Sequence, residues 1–155
     1  MTAPTIHASA VLVGARAVLI RGRSGSGKSR LALELIETAR AGRLRFARLV
    51  GDDRVHLEAA GGRLLVRPAA TLAGLIEVRG VGILRLAYEP EAVVGLVVDL
   101  DAEGERLPPS GQQVVEVDGI TLPRLAVASG TSALPLLLAV LTSSPHGPAP
   151  PDRAF

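Results

Sequence analysis

Gly22-Arg23-Ser24-Gly25-Ser26-Gly27-Lys28-Ser29 is the stretch of this chain whose residue types and spacing most directly suggest chemistry. It satisfies the phosphate-loop pattern G-x-x-x-x-G-K-S/T in full, a match that arises by chance in roughly one in a few hundred chains of this length. Glycines at these positions let the backbone curl until its N–H groups point inward at phosphate oxygens. A helix starting at the loop adds its partial positive charge. The lysine ammonium, a compact charge on a flexible stem, reaches the β- and γ-phosphates, and the serine hydroxyl can ligate Mg²⁺. Lys28 is also the only lysine, beside sixteen arginines. Arginine's broad planar fork would not fit such a cradle in the same way. The loop therefore predicts binding of a nucleoside triphosphate or another polyphosphate.

Phosphoryl transfer also needs carboxylates, for the metal and for the attacking nucleophile. Asp52, with Asp53 beside it, ends the apolar run Leu49-Val50-Gly51; Asp99 ends Val97-Val98. By pattern alone the two strand ends are equal candidates. Glu77 follows Leu75-Ile76 and precedes Val78-Arg79-Gly80-Val81-Gly82, so a carboxylate and an arginine stand beside two flexible glycines that can bring backbone close to a ligand. His7 and Arg106 carry no motif of their own. Alone they read as a strand histidine and a solvent-facing arginine.

The elements that must position these groups follow from periodicity and punctuation. Residues 7–14 and 15–22 are β-rich runs meeting at Gly14, an opening hairpin. Residues 29–41 form a helix in which Leu31, Ala32, Leu35, Ile36 and Ala39 share one face, with Gly42 as its stop. A strand over 44–51 ends at the acidic pair. Residues 54–58 and 63–67 flank Ala59-Ala60-Gly61-Gly62 as a second hairpin. A short helical piece follows Pro68. Residues 92–100 are continuously apolar, the pattern of a strand covered on both faces. Residues 101–112 read as a polar loop, 113–117 and 120–127 as strands, and 131–142 as a final apolar helix with Pro135 in its first turn. Strands outnumber helices, so the sheet is expected to be mixed. One domain over 1–144 is followed by a Pro-rich tail, 145–155, expected to be disordered.

Composition narrows the function classes. The formal net charge is only +2 and aromatic residues are 2% of the 155, which leaves little from which to build a base-stacking nucleic-acid platform. A sequence pI near 9.9 mostly reflects arginine's high pKa. Without cysteine there is no disulfide, thiolate metal site or cysteine nucleophile, and His7, His56 and His146 lie too far apart in sequence for a His-rich zinc motif. No apolar run reaches the roughly 18–20 residues of a membrane span, and no signal peptide is evident. The expectation is a soluble cytoplasmic protein without nucleic-acid or membrane partners.

Taken together, His7, the Gly22–Ser29 loop, Leu49-Val50-Gly51-Asp52-Asp53-Arg54-Val55 and above all Leu75-Ile76-Glu77-Val78-Arg79-Gly80-Val81-Gly82-Ile83-Leu84 resemble the catalytic domain of HPr kinase/phosphorylase. The likeness runs from about residue 7 to 127. It implies an α/β P-loop kinase fold of the phosphoenolpyruvate carboxykinase-like type, a mixed sheet with a P-loop helix. It implies an ATP- and Mg²⁺-dependent kinase of a serine on an HPr-like phosphocarrier, with dephosphorylation by phosphorolysis as the reverse reaction, and a hexameric homo-oligomer. By the resemblance, Asp52 rather than Asp99 takes the serine proton. Ser29 and Glu77 are the Mg²⁺ ligands; Lys28, His7 and Arg106 are active-site residues. Residues 76–85 serve both directions of the reaction. The chain starts almost at the kinase domain, like the family's short forms. It departs from the family pattern after Gly130, where Thr131-Ser132 replace a basic residue, and in a shortened C-terminal region. Two other readings are a non-catalytic ATP-sensing module and a P-loop small-molecule kinase.

Overall fold

The computed structural model describes residues 4–102 and 113–143. β1 (Ile6–Val13) and β2 (Arg16–Arg21) form the opening hairpin, and Gly14 supplies the left-handed turn at φ 63°. A glycine loop leads from β2 into α1 (Lys28–Arg40). Leu31, Ala32, Leu35 and Ile36 of α1 are buried at three-and-four spacing, as an amphipathic helix requires. The helix closes where the Gly42 and Arg43 N–H groups donate to the Ala39 and Thr38 carbonyls, with Gly42 left-handed at φ 81°.

β3 (Ala47–Gly51), β4 (Arg54–Ala60) and β5 (Arg63–Pro68) follow, then a 3₁₀ turn at Ala70–Leu72. Strand β3 begins later than its apolar pattern suggests. Leu44 tucks into the core and the Phe46 carbonyl accepts from the Gly14 N–H at the hairpin turn, so these residues cannot extend the ladder. β6 (Leu75–Val78) and β7 (Gly82–Arg85) make a separate two-stranded hairpin. β8 (Ala92–Leu100), β9 (Gln113–Val117), β10 (Ile120–Val127) and α2 (Ala133–Thr142) complete the described elements.

Strands neighbour one another in the order β2-β1-β4-β5-β8, and β2 also pairs with β8, so these five close into a ring. β3 continues the ladder on β1 beside β4, while β10 and then β9 extend from β8. β2 and β10 run parallel to β8 and the remaining pairings are antiparallel, which bears out the mixed sheet. Side chains alternate across the strands. One face sends Val11, Val18, Ile20, Leu49 and Val98 against α1 and α2. The other sends Ala8, Ala10, Ala17, Leu19, Val55 and Val66 into the ring, where small alanines leave room for it to close. Both cores need β8: Leu96, Val98 and Leu100 serve the helical side, Val94 and Val97 the interior. Each such side chain contributes roughly 1.5–3 kcal/mol of burial.

Among the described residues no helix is long and apolar enough to cross a membrane. Arg106, most of the 101–112 loop and the 145–155 tail lie outside the described residues.

Candidate functional site

The loop from β2 to α1 has the backbone its glycines foreshadow. Gly25 and Gly27 sit at φ 82° and 99°, and Gly27 is the N-cap of α1, with no side chain capping it. Gly22 is constrained by space as well: a Cβ there would lie 2.5 Å from Ser26 Oγ and 3.1 Å from the Leu100 Cβ. Lys28 is only 8% exposed. Its Nζ donates to the Gly22 carbonyl at 2.8 Å and the Arg23 carbonyl at 3.0 Å, drawing the loop around itself and leaving one of three ammonium protons for a ligand. Ser26 Oγ is buried without a partner among the described residues. An orphaned hydroxyl, a lysine with a spare donor and an uncapped helix N-terminus together fit a polyphosphate.

The acidic pair divides. Asp52 is 3% exposed and holds three segments together. Its Oδ1 accepts from Ser9 Oγ at 2.6 Å, Ser29 Oγ lies 2.7 and 2.9 Å from its two oxygens, and the Glu77 N–H donates to Oδ2 at 3.3 Å. Asp53 takes the left-handed conformation at φ 69°, which turns its carboxylate out to the surface. There it faces His7, with Nδ1 and Oδ1 3.5 Å apart and the Asp53 side chain 63% exposed. Arg54 Nη2 donates to His7 Nε2 at 3.1 Å. An arginine can only donate, so Nε2 accepts and the ring proton of neutral His7 sits on Nδ1, toward Asp53.

Asp99, the equal rival of Asp52 by pattern, is engaged elsewhere. Arg21 Nε and Nη2 grip its two oxygens at 2.7 and 2.8 Å, and Arg124 Nε donates to Oδ2. Burial raises its pKa, but the two guanidinium groups outweigh that and hold the carboxyl below its ordinary value of 3.8. It ties β2, β8 and β10 together.

A cleft of about 1110 Å³ collects the rest: Ser24–Arg30 of the loop and helix, His7, Asp53, and Glu77 with Arg79 on the β6–β7 hairpin. Glu77 is exposed there and shares the cleft with Ser29. A second cleft of about 300 Å³ at the far end of α1 is lined by Arg40, Arg45, Arg48 and apolar side chains, with no carboxylate. Of the residues singled out in the sequence, His7, Ser24, Gly25, Ser26, Gly27, Lys28, Ser29 and Glu77 meet in the large cleft, while Gly22 anchors the loop behind it and Arg23 lies outside its wall. Asp52 lies beneath the cleft rather than in its wall. Of the acidic pair it is Asp53 that stands in the wall, a residue the sequence presented only as a strand terminus. Its signal was available: consecutive residues at a strand end project to different sides, and aspartate readily takes the left-handed turn that exaggerates this. No group of three or more His, Asp or Glu side chains converges among the described residues; Ser29 and Glu77, which line the same cleft, could hold a metal only together with phosphate and water oxygens.

Residues 2–100 match the family model described as the HPr Serine kinase C-terminal domain. The HPr kinase/phosphorylase of Streptococcus thermophilus is 35% identical over 136 residues, covering 79% of this chain and 41% of that protein. That of Clostridium beijerinckii is 42% identical over 79 residues, covering 51% of this chain and 24% of the relative. The chain thus spans about two fifths or less of the curated relatives it matches. The solved structure titled as the Hpr(Ser) kinase/phosphatase from Coxiella burnetii superposes with a TM-score of 0.71 at 27% identity, covering 89% of this chain and 93% of that one.

Proposed function

The chain belongs to the HPr serine kinase C-terminal domain family, and from that membership we propose that residues 1–144 act as one catalytic domain: an ATP- and Mg²⁺-dependent serine kinase of an HPr-like phosphocarrier. In this reading the fold is a P-loop kinase of the phosphoenolpyruvate carboxykinase-like type, working in the cytoplasm where ATP is abundant. The observation that carries it is a single cleft holding the loop around Lys28, the Glu77 hairpin, and the pair His7–Asp53.

Gly22, Arg23, Ser24, Gly25, Ser26 and Gly27 wrap the phosphates with backbone N–H groups, and Lys28 places its remaining donor on the β/γ-phosphates. Ser29 and Glu77 would hold Mg²⁺, which when bound neutralises charge on the transferring phosphoryl oxygens. The carrier serine Oγ attacks the γ-phosphorus as the bond to the ADP oxygen breaks, and the hydroxyl proton passes to a nearby carboxylate. Asp53 is exposed to the cleft and we assign that proton to it, with His7 Nδ1–H steadying the carboxylate. Asp52 holds Ser29 and the Glu77 backbone in place. A second reading makes Asp52 the proton acceptor; it requires Ser29 to leave Asp52 and the cleft to open above it. Arg106 remains a candidate phosphate contact. In reverse, by phosphorolysis, an oxygen of inorganic phosphate attacks the phosphoserine phosphorus as the bond to the serine oxygen breaks, pyrophosphate leaves, and the same carboxylate returns a proton to the serine oxygen; ADP takes no part.

The test incubates the protein with ATP, Mg²⁺ and HPr-like carriers and seeks phosphoserine by mass spectrometry, with and without added phosphate. Label on a small metabolite and none on any carrier sinks the protein-kinase reading. Tight ATP binding without transfer, unchanged by Asp53→Asn or Asp52→Asn, points to the ATP-sensing module.

A further inference from the structure

Ser9 belongs to no motif, yet it is a polar residue with 0% exposure between Ala8 and Ala10 in β1. A buried hydroxyl is costly unless it is hydrogen-bonded, and this one donates to a carboxylate, Asp52 Oδ1, at 2.6 Å across 43 residues of chain. The topology explains the meeting. β3 and β4 pair in turn with the same strand β1, Gly51 opposite Ala10 and Arg54 opposite His7. Asp52 and Asp53 form the kink between them, and that kink lies against Ser9. Strand alternation puts Ser9 on the face of His7 and Val11, the side that carries α1.

Asp52 has no ion-pair partner among the described residues. Its partners are two hydroxyls and one backbone N–H. Two of those partners belong to the segments placed for the metal: Ser29 through its own hydroxyl, and Glu77 through its N–H. Ser9 is the third, and it sits on the rigid strand. Remove its hydroxyl and Oδ1 loses the anchor that fixes the carboxylate torsion, so the common attachment of Ser29 and Glu77 loosens.

We propose that Ser9 is a positioning residue, which sets the Asp52 carboxylate so that Ser29 and Glu77 stand ready for one divalent cation on the bound nucleotide. This rests on the Mg²⁺-nucleotide reading of the site. Residues that orient metal-binding groups from behind change metal affinity by about 10- to 100-fold when removed.

Isothermal titration of the full chain with ATP separates the possibilities, run once with EDTA and once with Mg²⁺. For Ser9→Ala the expected result is unchanged affinity for ATP in EDTA, with the Mg²⁺-dependent gain in affinity reduced about tenfold or more. A general packing defect would lower both affinities together and overturn the proposal. Ser9→Thr, which keeps the hydroxyl, should restore the Mg²⁺-dependent gain. Should Ser9→Ala melt before titration, Ser9→Cys keeps the volume with a weaker donor and should show the same selective loss. A gain in Ser9→Ala equal to that of the unaltered chain overturns the role of Ser9 alone. If the unaltered chain shows no gain from Mg²⁺, it is the metal-nucleotide reading itself that fails.

Discussion

Lys28→Arg is a substitution that composition makes look harmless, because arginine stands at sixteen other positions. The structure argues otherwise. Lys28 is 8% exposed and spends two of its three ammonium donors on the adjacent carbonyls of Gly22 and Arg23. A guanidinium keeps the charge but is two heavy atoms larger and presents its donors in one plane. It cannot fold back on two consecutive carbonyls and also direct a donor into the cradle. If the head stays inside, overpacking costs about 1–3 kcal/mol. At roughly 2–4 °C per kcal/mol for a domain near this size, melting falls by about 2–12 °C and the chain remains folded at 25 °C. If the head swings out, stability is kept and the phosphate contact is lost. Either way a preorganised donor on the transferring phosphate disappears, a change of about 10²–10³ in turnover. The assay is the initial rate of phosphoserine formation beside the thermal melt of the same sample. A rate within about tenfold of the unaltered chain, with normal melting, refutes the reasoning: the loop would then need a charge and no particular shape.

Asp53→Asn should lower transfer by about 10²–10⁴, the range for loss of a general base, with little change in melting. The side chain is 63% exposed, and asparagine accepts the left-handed backbone; full activity in a rate assay would return the role to Asp52. Gly22→Ala places a Cβ 2.5 Å from Ser26 Oγ and 3.1 Å from the Leu100 Cβ, and should weaken ATP binding about tenfold or more by calorimetry, at a cost of about 1–3 kcal/mol in stability. Asp99→Asn should cost about 1.5–3 kcal/mol at neutral pH, from charge-assisted bonds to Arg21 and Arg124. Because the folded carboxyl titrates below its ordinary value of 3.8, its contribution is complete above that pH and fades as pH falls through the depressed value. Denaturation of variant and parent should therefore converge in acid; a gap that widens there contradicts the assignment.

Local signals were legible and long-range pairings were not. The Gly22–Ser29 loop and α1 announce themselves because the pattern, the strand before it and the 3.6-residue periodicity are contiguous. The turns at Gly14 and at Gly61-Gly62 follow from glycine alone, with φ of 63°, 60° and 77°. The β6–β7 hairpin was less visible. Its strands have four residues each and its loop is Arg79-Gly80-Val81, so neither period has room to establish itself. Closure of the five-strand ring depends on β2 and β5 both meeting β8, contacts that no local pattern encodes. Nothing local marks Ser9, because the carboxylate it meets is 43 residues away.

Three aspartates at strand ends show why that feature alone decides so little. Asp99 and Asp52 both end apolar strands, and only their partners separate them. Two guanidinium groups neutralise Asp99, so it has no charge left to offer a ligand and its work is to join β2, β8 and β10. Asp52 is met by hydroxyls and an N–H, neutral partners that orient a carboxyl group and tie it to Ser29 and Glu77. Asp53 differs from its neighbour by one left-handed residue, which moves it from beneath the cleft to the wall. A proton acceptor must reach an incoming hydroxyl, and a group that fixes a metal ligand must not move. Two adjacent carboxylates on opposite sides of one kink can meet both demands, whereas a single aspartate there would have to abandon Ser29 in order to reach the serine.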